Sequence, residues 1–469
     1  MSQTNEQNIQ SHPLASEPIG KLIVKFAVPS VISMLVNSLY NIVDQIFIGQ
    51  GVGFLGNAAT NVAFPMTTIC MAVAFMVADG GAAYYSLKLG EGDQVSARRT
   101  AGTCLTLSAL FGAVFLLVGT VFLNPMLRLF GATTEVMPYA VEYTRIIVIG
   151  LPFVVMGAVL NCLIRADGSP KYAMVCMLIG AVINTVLDPI FIFGLNQGVH
   201  GAAVATIIGQ IATFLVSALY IPKFKNIKLT RDDYKFRVKM AGKVCSLGIS
   251  SGITQAAITL VVIVMNNSLT YYGAQSIYGK EIPLAAQGIV MKVNQILISL
   301  LVGTAIGAQP IIGYNYGAKN YHRVKKTYLS CAAVATVFSV LGFSMFMFFP
   351  QSIVNIFGQE DALYNEFAVK CFRTFLAMCV VSGFQITTAN FFQSIGKPLK
   401  AAMLTLSRQV VFLIPMILIL PRFFGLDGVL YAGPVADFSA FLLALVMGVS
   451  QVRRLNQQHQ DTLKGECAS

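Results

Sequence analysis

Few residues of this chain could do chemistry in an apolar medium, and those few gather. Asn184 and Asp188 stand four apart, so they stack one helical turn from each other on a single face. Pro189 follows at once; it has no N–H, and it frees a carbonyl one turn earlier. Thr206 falls at a similar depth when it and Asp188 are both counted from the loop at 195–200. Asp44 is preceded by Asn41 and Asn37 at three and seven residues, on much the same helical face. Two carboxylates, amides and a hydroxyl form a set of oxygen donors suited to proton exchange, or to a weakly held Na⁺ at Asp44, Asn184 and Asp188. Interhelical glue is the alternative, but such hydrogen bonds are worth only ~0.6 kcal/mol. A carboxylate in hydrocarbon costs ~2.5–3.5 kcal/mol, so two of them point to function.

The charged residues of the second half differ. The counterpart of Asp188 is Pro415 and that of Asn184 is Val411. Arg408 lies 14 residues before Arg422, and Asp437 lies 10 after Asp427, which puts them within about one turn in depth. They are expected to pair, either as a locked ion pair or as part of a gate or substrate site. Lys292 has no evident partner and sits some ten residues inside its span, so it is expected to line a central cavity.

Elements long enough to carry these residues are easy to find. With 56% hydrophobic and 11% charged positions among 469, the chain is not an ordinary soluble domain. About twelve stretches reach the ~20 apolar residues that a membrane crossing needs. Lys and Arg crowd the loops of one side, above all at 223–243, against Arg128, Lys280 and Arg422 on the other, which predicts cytoplasmic termini. The net charge of +12 is mostly this topological signal. Nucleic-acid binding, which wants basic residues on one soluble face, is excluded. The polar residues 1–18 read as a disordered tail rather than a signal peptide. No phosphate-binding loop occurs: Gly242-Lys243 runs into Val244, and Gly279-Lys280 into Glu281. Gly248-Ile249-Ser250-Ser251-Gly252 has the letters of a nucleophile elbow, but it opens a membrane helix and lacks a histidine partner. It reads as small residues at a helix–helix contact, and the chain as no enzyme.

The chain is also written twice, about 227 residues apart. Leu129-Phe130-Gly131-Ala132 returns as Ile356-Phe357-Gly358-Gln359, Val199-His200-Gly201-Ala202 as Leu426-Asp427-Gly428-Val429, and Arg98-Arg99 as Lys325-Lys326. Duplicated membrane bundles commonly work by rocking one half against the other around a site between them. The expected fold is therefore an all-α polytopic membrane protein, about 12 transmembrane helices in two pseudo-twofold-related six-helix lobes. The lobes are placed at 19–222 and 244–452, with a basic linker at 223–243 and tails at 1–18 and 453–469.

Asp44 in the first span and Asn184-x-x-x-Asp188-Pro189 in the fifth resemble the multidrug and toxic compound extrusion (MATE) family. So do Tyr143-Thr144-Arg145-Ile146 and Leu163-Ile164-Arg165-Ala166-Asp167-Gly168. Gly51-Val52-Gly53-Phe54-Leu55-Gly56-Asn57-Ala58-Ala59 resembles its MepA-like branch. The resemblance runs from about Pro18 to Arg454. It implies a cation site in the first lobe on Asp44 and Asp188, assisted by Asn184, Thr206 and Asn161; Asn41 joins this set by its spacing to Asp44. Some members use acids in the second lobe instead; here Gln255 stands where the seventh span would carry one.

The expected function is secondary active efflux of amphipathic, mostly cationic small molecules by H⁺ or Na⁺ antiport with alternating access. Its site residues are the first-lobe acids, with Asn37, Gln255, Lys292, Arg408 and Asp437 as cavity or gating residues. The coupling ion takes the place of any cofactor. The protein is expected in the plasma membrane, in contact with lipid, as a monomer. The rivals are a flippase for a lipid-linked precursor and a passive channel.

Overall fold

A computed structural model describes residues 12–52, 54–130, 132, 134–356 and 362–467. Residues 1–11 of the expected tail, Gly53 of the Gly51–Ala59 stretch, Gly131, and Phe357, Gly358 and Gln359 of the repeat lie outside the described residues. The described chain is helical throughout, without strands. Windows of mean hydropathy 1.8–2.5 make its long helices apolar all round, which is how a helix reads when lipid or other helices surround it.

The first lobe holds α1 (Ile19–Val52), α2 (Phe54–Gly90), α3 (Gln94–Val121), α4 (Met137–Ala166), α5 (Pro170–Pro189) and α6 (Gly198–Ala218). The second holds α7 (Val238–Gly273), α8 (Glu281–Gly317), α9 (Tyr321–Phe348), α10 (Ala362–Phe375), α11 (Ser382–Ser394), α12 (Pro398–Leu406), α13 (Ile414–Ile419) and α14 (Leu426–Cys467). Eleven described helices are long and apolar enough to cross a membrane; α10 and α11, bent by 43°, make a twelfth span if taken together. This is a multi-pass membrane protein. Residues 238–243, expected in the linker, are the first turns of α7, and α14 runs on well past 453.

Each lobe has a core of its own: Met66, Leu127 and Leu151 in the first, and Phe367, Phe372 and Ile417 in the second. A further core, near the chain ends, draws on both lobes, with Tyr85 and Leu163 beside Val244 and Ile311. The lobes therefore meet on the side of the termini. There α2 packs on α7, and α1 on α8, with almost no side chain between them: a Cβ added to Gly248 would fall on the Met76 carbonyl, and one on Gly307 would meet the Ala27 backbone. The seam ends near the Ser38–Ser299 hydroxyl contact of 2.6 Å. Beyond it the side chains of Asn41 and Lys292 are exposed, on the side away from the termini.

Residues 12–18 are a packed strap rather than the disordered tail that their polarity suggests. His12 stacks on Tyr314 at 4.5 Å and contacts Asn226 Oδ1 through Nε2 at 3.0 Å. Asn315 Nδ2 donates to the Leu14 carbonyl at 2.9 Å, and Leu14 is buried. The linker is pinned too. Asp167 accepts from Tyr85, Tyr220 and the backbone N–H groups of Lys225 and Asn226. Asp233 accepts from Thr230 N and Oγ1 and lies 2.8 Å from Arg98 Nε. Burial alone would raise the Asp233 carboxyl, but these donors hold it below its ordinary value.

Candidate functional site

Asp188 ends α5 and is fully buried; Asn184, one turn earlier on the same face, is 3% exposed. Pro189 cannot donate to the Thr185 carbonyl, and the chain relaxes into one wider turn, Ile190–Gly194, before α6 begins. Asn184 Nδ2 points at Asp188 Oδ1 (3.2 Å) and at Thr206 Oγ1 of α6 (3.4 Å), while Thr206 spends its own proton on the Ala202 carbonyl. α1 packs on α5 and α6 and brings Asp44 up to Asp188, so that the two carboxyls face each other within hydrogen-bond reach. Two carboxylates so placed repel each other, and a shared proton or cation relieves that.

Donors run short at this point. Asp44 Oδ1, Asp188 Oδ2 and Asn184 Oδ1 are buried and accept no hydrogen bond. Three unpaired oxygens in one place are rare in a folded protein, where buried polar groups ordinarily find partners. A proton or a small cation would supply what is missing. The pair lies inside the first lobe, between α1 and α5. Tyr40, one turn before Asp44, and Tyr143 of α4 both lie within electrostatic reach of the two acids. Sequence reasoning placed neither; Tyr40 at i−4 from Asp44 was the available signal.

Two expected members stand elsewhere. Asn161 donates to the Ala173 carbonyl at 2.8 Å and accepts from Arg165 at 3.4 Å. Ala173 is fifteen residues, ~22 Å, before Asp188 on α5, so Asn161 belongs to the terminal side of the lobe and not to the acid pair. Asn41 turns back on its own helix: its Nδ2 reaches the Asn37 carbonyl at 2.6 Å and Asn37 Oδ1 at 3.4 Å.

In the second lobe Arg408 Nε lies 2.6 Å from Asp437 Oδ1, with Asp437 4% exposed. Arg408 sits in the widened stretch Ser407–Leu413 that joins α12 to α13 just before Pro415. Lys370, near the outer end of α10, pairs with Asp427 at 2.6 Å. Gln255 lies seven residues, two turns, beyond Gly248 and so shares its face toward α2. Lys292 is related in the same way to Ser299 on α8, and it is exposed. Both therefore lie just past the seam, on the faces that α7 and α8 turn toward the first lobe.

Asp79 of α2 was overlooked. Its Oδ2 accepts from Ser251 Oγ of α7 at 2.7 Å, and its Oδ1 faces the Cys162 thiol at 3.8 Å. A lone acid in an apolar run has no periodic partner to flag it; its charge within a span was the signal.

A family model described as MatE matches residues 29–190 and 251–419. The multidrug export protein MepA of Staphylococcus aureus (strain NCTC 8325 / PS 47) is 24% identical over 465 residues, covering 97% of this chain and 99% of that protein. MepA of Staphylococcus haemolyticus (strain JCSC1435) is 26% identical over 449 residues, covering 93% and 95%. Among solved structures, the outward-facing conformation of a multidrug resistance MATE family transporter of the MOP superfamily matches with a TM-score of 0.88, at 24% identity, over 97% of this chain and 100% of that one. A MOP superfamily transporter from Pyrococcus furiosus, whose binding pocket has reversed polarity, matches with a TM-score of 0.87 at 24% identity, over 97% and 99%.

Proposed function

This chain belongs to the MatE family, and from that premise we propose that it is a multidrug efflux transporter, exporting amphipathic, mostly cationic compounds by cation antiport with alternating access. The observation that carries the coupling is the Asp44–Asp188 contact with its three donorless oxygens. A proton is the ion that two facing carboxyls hold best; Na⁺ is the second reading, favoured by the unpaired Asn184 amide oxygen.

The geometry suggests how the cation acts. α1 carries Asp44 into the acid site and, on the same rod, Asn37 and Asn41 beside the end of the seam, where we place the substrate cleft. Loading the acids removes charge repulsion between α1 and α5 and lets α1 shift; Pro29, inside α1, is the place where it can bend. With the termini cytoplasmic, as the basic loops argue, the present state opens outward. Bound compound leaves to the outside, the cation enters from there, and the lobes rock back. Drug and cation then favour different states, which is what antiport needs.

The test is ethidium efflux by the purified protein in liposomes, under an imposed pH or Na⁺ gradient, beside Asp188→Asn. Transport driven by one gradient and lost in the variant supports the reading and identifies the ion. Transport under neither gradient overturns export of this cationic probe, and an anionic lipid-linked cargo is then tried.

A further inference from the structure

We infer that Asp79 is the latch of the terminal-side seam, holding the lobes together through Ser251 and exchanging that bond for Arg165 when they part. This rests on the reading that the lobes rock.

Two helices of the second lobe reach this one residue of the first, and a third braces its donor. Ser251 of α7 donates to its carboxylate; Gln309 Nε2 of α8 donates to its backbone carbonyl at 3.3 Å; Gln393 Nε2 of α11 donates to Ser251 Oγ at 3.1 Å and so directs the serine proton toward Asp79. The surrounding seam is glycine and alanine backbone in van der Waals contact, which is non-directional and lets go evenly. A hydroxyl on a carboxylate is different in kind. It is short, it is charge-assisted, and it either forms or does not. The glycines at 248 and 252 have a use here as well: they let α7 approach α2 closely enough for the Ser251 hydroxyl to reach across.

The other half of the switch is already in place. Arg165 is 4% exposed and acts on Asp79 electrostatically from within the same lobe. Its terminal nitrogens point at neutral acceptors, Asn161 Oδ1 at 3.4 Å and Cys162 Sγ at 3.0 Å. When the second lobe withdraws Ser251, Asp79 keeps only the Cys162 thiol at 3.8 Å as a donor, while Arg165 stands beside it with only weak acceptors. A guanidinium gains by turning to a carboxylate. Asp79 thus has two satisfied arrangements, one for each state of the seam, and it is never left bare. That places it as a positioning residue of the transport cycle, distinct from the cation pair.

The experiment is hydrogen–deuterium exchange on the full-length protein in nanodiscs, with no substrate and no gradient, read over 76–83 and 244–252. Ser251→Ala removes the latch but keeps both Asp79 and Arg165, so the carboxylate still has a cation to turn to and no unpaired charge is buried. Exchange in both segments is expected to rise about ten- to a hundredfold, the worth of a hydrogen bond to a charged group, with 407–437 unchanged. Asp79→Asn raises it likewise, and the double variant no further than the larger single one. Wild-type exchange in Ser251→Ala overturns the latch, as do additive single effects; a lower melting temperature with an unchanged seam assigns Asp79 a merely structural role. Since no transport is measured, a failure of drug export leaves this result standing, and a failure here leaves export standing.

Discussion

Arg408 Nε lies 2.6 Å from Asp437 Oδ1, so the second lobe neutralises its buried acid with a cation of its own, whereas the first lobe sets Asp44 against Asp188 with no cation between them. Two homologous halves have thus treated buried charge in opposite ways. A paired charge is stable and inert; two facing acids want something from solution. That contrast is the ground for proposing that coupling sits in the first lobe.

The ion pair should behave as structure. Asp437→Asn leaves Arg408 unpaired and is expected to cost about 3–5 kcal/mol of stability, whereas a double change to Met and Leu recovers most of it. Thermal unfolding in detergent measures both. Efflux by the double variant should keep its dependence on the imposed gradient. Loss of that dependence would move the coupling into the second lobe.

Asp44→Asn and Asp188→Asn should do the reverse. Each replaces a carboxyl with a neutral group of the same shape, which imitates the loaded state, so melting should hold or improve while gradient-driven efflux falls at least about tenfold. Asn161→Ala serves as the comparison. Its amide bonds the Ala173 carbonyl near the terminal face, so its effect should fall on stability and leave the ion dependence intact. A change of coupling ion in Asn161→Ala would return it to the cation site.

The contrast between Asn161 and Asn184 also marks what the sequence could reveal. The i, i+4 spacing of Asn184 and Asp188, the proline after them and the matched depth of Thr206 are local facts, and the structure has all of them on adjacent turns or neighbouring helices. Arg408 and Asp437 were legible from depth because both lie near one loop. Asp79 was not: its partners are 172 and 230 residues away, on helices whose relative rotation no single-sequence pattern reports. Residues 12–18 failed for a related reason. They are polar and short, and their order comes from Asn226, Asn315 and Tyr314, on the linker and the second lobe.

Lys292 should set the charge preference of the cleft. It is exposed on the face of α8 that carries Ser299, two turns past the seam. A unit charge at ~8 Å through water is worth about 0.5 kcal/mol, so reversing it in Lys292→Glu changes binding of a monocation by about fivefold. The apparent KM for ethidium efflux should fall by that factor, and rise for an anionic dye. An unchanged ratio of the two would remove Lys292 from the substrate path.

Lys397 gives the terminal face a dependence on alkaline pH. Its ammonium donates to Gln451 Oε1 at 2.8 Å just before α12. Burial, with Arg454 and Lys400 nearby, brings its pKa down from 10.5 to about 8. The folded state therefore sheds this proton before the unfolded chain does. Below pH 8 both states hold it and the fold carries the full penalty. Between about 8 and 10.5 the unfolded chain binds more protons, so stability rises with pH across that window and levels above it. Lys397→Gln removes the charge. It should raise the melting temperature at pH 7 and abolish this part of the gain on going to pH 9.5, measured as the difference between wild type and variant so that other titrating groups cancel. Equal pH slopes in the two proteins would mean that the ammonium is fully solvated and that the crowding by Arg454 and Lys400 is relieved by water.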